Sequence, residues 1–101
     1  MPSKDKILDM LQSEPNDPFL LYSLAMEELK QGQLPAACEA FDRITTIDPD
    51  YVAAYHQKGQ ALLQDGQNEE ALRVLQVGIA RANAVGNDHA AAEMQGLIEL
   101  L

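Results

Sequence analysis

Turn-forming clusters cut this chain at nearly even intervals, and that spacing limits its fold more than any other feature. The clusters are Pro15–Asn16–Asp17–Pro18, Gln31–Gly32–Gln33, Asp48–Pro49–Asp50, Asp65–Gly66–Gln67–Asn68 and Gly86–Asn87–Asp88. Between them lie six stretches rich in alanine, leucine, glutamine and glutamate. β-Branched residues are scattered, and no stretch alternates apolar and polar residues for long, so the periodicity is helical. Helices this short are marginal alone in water and must bury an apolar face against one another. The expected fold class is all-α, with helices near 4–13, 18–31, 35–47, 51–64, 69–85 and 88–101.

The residues at the cuts suit helix ends. Asp17 is expected to cap a helix whose first residue is Pro18, where the missing N–H costs nothing. Gly32 and Gly66 stand where a left-handed C-terminal residue is needed. Pro35 is expected to start the third helix and Asp50 to cap the fourth after Pro49. Asn68 is expected to cap the fifth, with Glu69 and Glu70 in its first turn facing the positive end of the helix dipole. Gly86 closes that helix, and Asn87 or Asp88 opens the last.

Sliding the chain along itself until Leu29 meets Leu63 also places Gly32 on Gly66, Gln33 on Gln67 and Ala37 on Ala71, with the small residues Ala25 and Gly59 aligned as well. The shared positions lie around helix–turn–helix joints. The first copy reads Leu21-x2-Leu24-Ala25-x2-Glu28, then Ala37-x3-Phe41, then Pro49. The second reads Tyr55-x2-Lys58-Gly59-x2-Leu62, then Ala71-x3-Leu75. In this the chain resembles the tetratricopeptide repeat family, whose signature W-x2-L-G-x2-Y, A-x3-F, P spans a helical hairpin. Three departures stand out. Glu28 takes a usual aromatic position, Lys58 takes a usual leucine, and Asn83 replaces the second closing proline, so the fifth helix should run on to about Val85.

The resemblance implies an antiparallel helix–turn–helix solenoid forming a single domain over 1–101. Its parts would be an N-terminal flanking helix (1–17), a first repeat (18–51), a second repeat (52–85) and a C-terminal capping helix (86–101). A terminal repeat cannot bury its outer face alone. Met94, Leu97 and Leu101 are therefore expected to cover Leu72, Leu75 and Ile79. The chain is similar to small two-repeat proteins common in bacteria.

Charge and composition narrow the function. The 101 residues include 16 acidic and 7 basic side chains, a formal charge of −9. That balance repels phosphate backbones, and no basic patch is interleaved with aromatics, so no nucleic-acid partner is expected. The single cysteine excludes an internal disulfide and a cysteine-rich metal site. No stretch of 18 apolar residues occurs, and MPSKDKILDMLQ lacks the apolar run of a secretory leader, so a soluble, cytoplasmic protein is expected. His56 and His89 have no His or Cys at helical spacing, and Cys38 reads as a packing residue next to Ala37. Glu27–Glu28 and Glu69–Glu70 are sequence neighbours whose side chains diverge on a helix and are expected in solvent or at helix ends. There is no phosphate-binding glycine loop and no Ser–His–Asp arrangement. No catalytic residue, metal or cofactor is expected, and the chain is read as a non-enzyme.

What remains is a surface. In the resembled family the first helix of each hairpin lines a concave groove that grips a peptide or partner helix. That places Phe19, Tyr22, Met26 and Leu29 of the first hairpin, and Ala53, His56, Gln60 and Leu63 of the second, in a peptide-binding groove. Offsets of three and four residues make each set one helical stripe. Ile7, Leu8 and Leu11 of the N-terminal helix are the competing cover for the first stripe. His56 is expected beside Tyr22, and Tyr22 and Met26 are expected to point away from the packed seam. The family's carboxylate clamp of lysine, arginine and asparagine is missing: Tyr22, Met26, Gln57, Asn87 and Ala91 occupy its places. The expected role is a scaffold or adaptor that binds a protein or peptide with apolar anchors and basic flanks. The alternative is a homodimer through the same apolar face.

Overall fold

The computed structural model describes residues 3–101. Among them are six α-helices and no strand: α1 (Lys4–Ser13), α2 (Pro18–Lys30), α3 (Leu34–Ile47), α4 (Val52–Gln64), α5 (Asn68–Ala84) and α6 (Asp88–Ile98). They fall into two compact units, Met1–Asp48 with α1–α3 and Pro49–Leu101 with α4–α6. In the first unit α2 packs against both α3 and α1. In the second α5 packs against both α4 and α6, and α6 also touches α4.

Three turns share one construction. Gly32, Gly66 and Gly86 have φ of 72°, 80° and 75°, the left-handed region that a Cβ disfavours. Each glycine N–H donates to the carbonyl of the residue three before it (Leu29, Leu63 and Asn83). The next N–H reaches five residues back: Gln33 to Glu28 O, Gln67 to Leu62 O and Asn87 to Ala82 O, at 2.8–2.9 Å. These paired bonds satisfy carbonyls that the ending helix leaves open. The first two turns stand in the same register as Leu29 and Leu63. The third follows sooner and out of that register, because α6 belongs to a different joint from those that close the two hairpins.

Several helix starts differ from expectation. Asp17 does cap α2, accepting from the N–H groups of Phe19 and Leu20, and Asn87 caps α6, accepting from Ala90. Asn68 does not cap α5: it is already helical, and Gln67 precedes it without a side-chain cap. The Gln67 N–H closes the glycine turn, and its side-chain amide donates to Asp65 at 2.8 Å, so the chain re-enters helix at once. Asp50 does not cap α4 either. Tyr51 holds that position, while the Asp50 carboxylate faces Arg81 of α5 at 3.5 Å. Pro35 is the second residue of α3, which begins at Leu34. At the other end α6 stops at Ile98, and Leu101 lies beyond it, 50% exposed.

Each unit has its own core. In the first, Ile7 and Leu11 of α1, Leu20, Leu21 and Ala25 of α2, and Ala37, Ala40, Phe41 and Ile44 of α3 are buried. In the second, Val52, Leu75, Ala82, Ala91 and Met94 form a cluster, with Tyr55, Leu63, Ile79, Leu97 and Ile98 packed around it. Burying one such aliphatic or aromatic side chain fully contributes roughly 1.5–3 kcal/mol. The capping role expected of α6 is carried by Met94, Leu97 and Ile98. Leu101 takes no part, and Leu72 lies outside the cluster that α6 completes.

Two glycines allow the close approaches. A Cβ on Gly59 would collide with the Leu75 side chain. A Cβ on Gly78 would sit 2.6 Å from Met94 Sδ and 2.7 Å from Tyr55 Cβ. The helices α4, α5 and α6 approach this closely only because those positions carry no side chain.

Candidate functional site

The first helix of the first hairpin, α2, is apolar on most of its circumference, and its faces have separate uses. Leu21 and Ala25 are fully buried. Phe19, at the helix start, is 68% exposed. Tyr22, Met26 and Leu29 are half-buried. The Tyr22 ring meets the edge of Phe41 on α3, with centroids 6.2 Å apart and planes at 68°. Edge-to-face pairs of this kind contribute about 0.5–1.5 kcal/mol beyond their buried area. Tyr22 therefore does not simply point away from the seam as expected; one side of its ring belongs to it. Spacing alone carries no signal for this, because Tyr22 lies on the boundary between two faces.

On α4 the expected stripe is less apolar. Ala53 is exposed, and His56, Gln60 and Leu63 are half-buried. Leu63 leans on the core of its own unit. The structure thus spreads the eight residues over two units, with the open apolar area concentrated at Phe19, Tyr22, Met26 and Leu29.

The acidic pair beside that stripe departs from expectation. Glu27 and Glu28 are both buried, Glu28 to 5% exposure. Lys30 Nζ stands 3.5 Å from Glu27, and Lys4 Nζ of α1 stands 2.6 Å from Glu28. Burying a carboxylate without a cation is prohibitively costly, so each acid sits where a lysine can reach it. Position 28 is where the family pattern calls for an aromatic residue. The partner that makes glutamate tolerable there comes from the flanking helix, a signal that no local motif carries.

α1 lies against α2 through Ile7 and Leu11, while Leu8 faces outward and is exposed. Phe19 remains open. A cleft of about 160 Å³ is lined by Leu24, Glu28, Ala36, Glu39, Ala40 and Arg43. Arg43 Nη2 donates to the Pro15 carbonyl at 2.8 Å and so ties the α1–α2 turn to α3.

The described residues hold no group of three or more His, Cys, Asp or Glu placed to bind a metal. Cys38 is half-buried and forms no disulfide. His89 Nε2 lies 3.2 Å from Glu93 on the outer face of α6, one helical turn away. On α5, hydrogen bonds from Arg73 to Glu70, the shorter 2.6 Å, hold the Glu70 carboxyl below its ordinary value. The same contact raises Arg73. No helix among the described residues is long and apolar enough to cross a membrane.

Comparison with known proteins agrees with this architecture. A family model described as "Tetratricopeptide repeat" matches residues 28–98. The solution structure of a tetratricopeptide repeat domain protein from Salinibacter ruber is similar at 31% identity and a TM-score of 0.77, covering 83% of this chain and 85% of that one. The TPR2B domain of yeast Sti1, in complex with pHsp70, is similar at 23% identity and a TM-score of 0.87, covering 95% of this chain and 77% of that one. A protein from Bordetella parapertussis is similar at 21% identity and a TM-score of 0.84, covering 98% of this chain and 86% of that one. The latter two bear on the fold alone. None of the curated proteins compared matches the chain. With its paired glycine turns, its close-packed small residues and a family match across most of its length, the chain belongs to the tetratricopeptide repeat family.

Proposed function

We propose that this chain is a non-catalytic interaction module that takes a peptide or partner helix on α2, the first helix of its first hairpin. Tetratricopeptide repeats generally mediate protein–protein interaction, and the yeast neighbour carries a pHsp70 partner. The observation that carries the reading is the open stripe on α2: Phe19 at 68% exposure, followed at helical spacing by half-buried Tyr22, Met26 and Leu29. An aromatic anchor with a flexible methionine beside it suits an apolar side chain of a partner. Ala53, His56, Gln60 and Leu63 of α4 are proposed as a second, more polar contact surface of their own unit.

The partner would carry apolar anchors and basic flanks, since a chain of charge −9 speeds encounter with a cation-bearing segment. Glu27 and Glu28 are held by lysines, so this attraction would come from the exposed acids instead. A peptide-display selection followed by calorimetry tests the site. Replacing Phe19 and Met26 together with alanine should weaken the selected peptides about ten-fold or more, with the helical circular-dichroism signal retained. Peptides that bind the variant undiminished would remove the site from this face.

A second reading rests on the same exposure of Phe19: self-association of two copies through the α2 stripe. It predicts a dimer by sedimentation that the Phe19 and Met26 double variant converts to a monomer.

A further inference from the structure

The seat of α1 on α2 has specific chemistry. Glu28 is a buried carboxylate, and the ammonium facing it comes from α1, at Lys4. Three residues along α1, Ile7 is fully buried, and four further on Leu11 is buried too. The seat therefore accepts a helix with a cation, then an aliphatic residue three positions on, then another four beyond. We propose that this seat is a helix receptor that the α1 of a second copy can fill, giving an exchanged dimer in which each chain's Lys4 meets the other chain's Glu28.

The hinge suits exchange. The short segment Glu14–Asp17 joins α1 to α2. Glu14 and Asp17 each precede a proline, which disfavours helical backbone there. Glu14 has φ −129° and ψ 65°, and Asp17 has φ −77° and ψ 111°. The hinge is thus already non-helical at both ends. Pro18 opens α2 and blocks the competing outcome, fusion of α1 and α2 into one continuous helix. Exchange between identical chains preserves every α1–α2 contact. The visible ties it must release are the Arg43 bond to the Pro15 carbonyl and the Asp17 N–H bond to the Glu14 carbonyl, at 3.3 Å, that closes the hinge turn. A tethered α1 competes at about millimolar effective concentration, so the parent is monomeric at micromolar concentration and exchanges when concentrated to about millimolar.

Charge reversal isolates the exchange. Lys4→Glu places two carboxylates at the seat of one chain, and Glu28→Lys places two ammonium groups at the seat of another. Opposite charges then meet only across the two chains. In an equimolar mixture, light scattering should show twice the monomer mass at about tens of micromolar, where each variant alone is monomeric. The mixture should also melt within a few degrees of the parent. The double variant K4E/E28K in one chain should recover the parent's melt as a monomer. If either single variant does not fold alone, the two are refolded together from urea and read the same way. A mixture that stays at monomer mass, or that melts as the sum of its components, overturns the proposal. So does a double variant that fails to recover, since the seat would then not be set by this charge pair.

Discussion

Glu28 and Leu62 occupy equivalent places in the two hairpins and solve the same packing problem with opposite chemistry. Both supply the carbonyl on which the glycine turn closes, and both are buried, at 5% and 3% exposure. Leu62 needs nothing beyond apolar neighbours. Glu28 needs Lys4, and so makes the first hairpin depend on its flanking helix in a way the second does not. A second contrast runs along α3 and α5. Ile44 is fully buried in the first unit, while the equivalent position of the second carries Gly78, into which α6 inserts Met94. In one unit this position carries a buried isoleucine; in the other it leaves a notch that the following helix fills. The repeat pattern thus fixes which positions are buried, and the flanking helices decide which residues are acceptable there.

The largest effects should appear where both hairpins use the same solution. Ala37 and Ala71 are equivalent and fully buried. Replacing either with arginine buries an unpaired charge and overpacks the joint, at several kcal/mol out of a typical total of about 5–15. Both variants are expected to be unfolded, or to melt far below the parent, in thermal scans. A melt within a few degrees of the parent at either site would mean the hairpins are not equivalent there.

Removing residues 87–101 strips Ala91 and Met94 from the second core and leaves Leu75 and the Gly78 notch uncovered. The shortened chain should aggregate or melt early, as uncapped repeats do. Sedimentation that shows a stable monomer with the parent's melting point would contradict the contrast drawn between the units.

The Glu28–Leu62 comparison predicts an asymmetry of sign. Lys4→Ala leaves a buried carboxylate without its ammonium and should cost about 1–3 kcal/mol. Glu28→Leu transplants the second hairpin's chemistry into the first and should be neutral or stabilising, because hydrophobic replacement of a buried ion pair often is. Urea unfolding of the two variants measures both; equal destabilisation would show that Glu28 has a role beyond satisfying Lys4.

The smallest effects separate the glycines. Gly78→Ala meets Tyr55 Cβ, which is fixed close to its backbone, and should destabilise by about 1–3 kcal/mol despite better helix propensity. A Cβ on Gly96, within α6, meets nothing within 4 Å, so Gly96→Ala should stabilise by up to about 1 kcal/mol. The two variants should shift the melting temperature in opposite directions.

Much of this architecture is legible in the order of residues alone. Alternating helix-length stretches and turn clusters place six helices to within a few residues. Gly32, Gly66 and Gly86 mark the left-handed turns because no other residue type is equally at ease there. Asp17 and Asn87 are readable as caps. Where a cap is misplaced, a competing partner is the cause: Asp50 is drawn to Arg81, and the Gln67 turn leaves Asn68 inside its helix. Of the interaction stripe, the helical spacing is readable from the sequence, but not how each residue divides between solvent and seam. Tyr22 shows this, sharing an edge with Phe41 that no spacing rule specifies.

The sequence by itself determined the periodicity, the turns and the small residues at the joints, because these follow from local backbone sterics and from a repeat that the chain states twice. The tertiary structure alone decided that Glu28 is buried and that Lys4, on a different helix, answers its charge. It likewise decided that Met94 occupies the space Gly78 leaves open. Such pairings join residues that share no helix, and a buried charge or an empty notch is tolerable only once the distant partner that satisfies it has been packed into place.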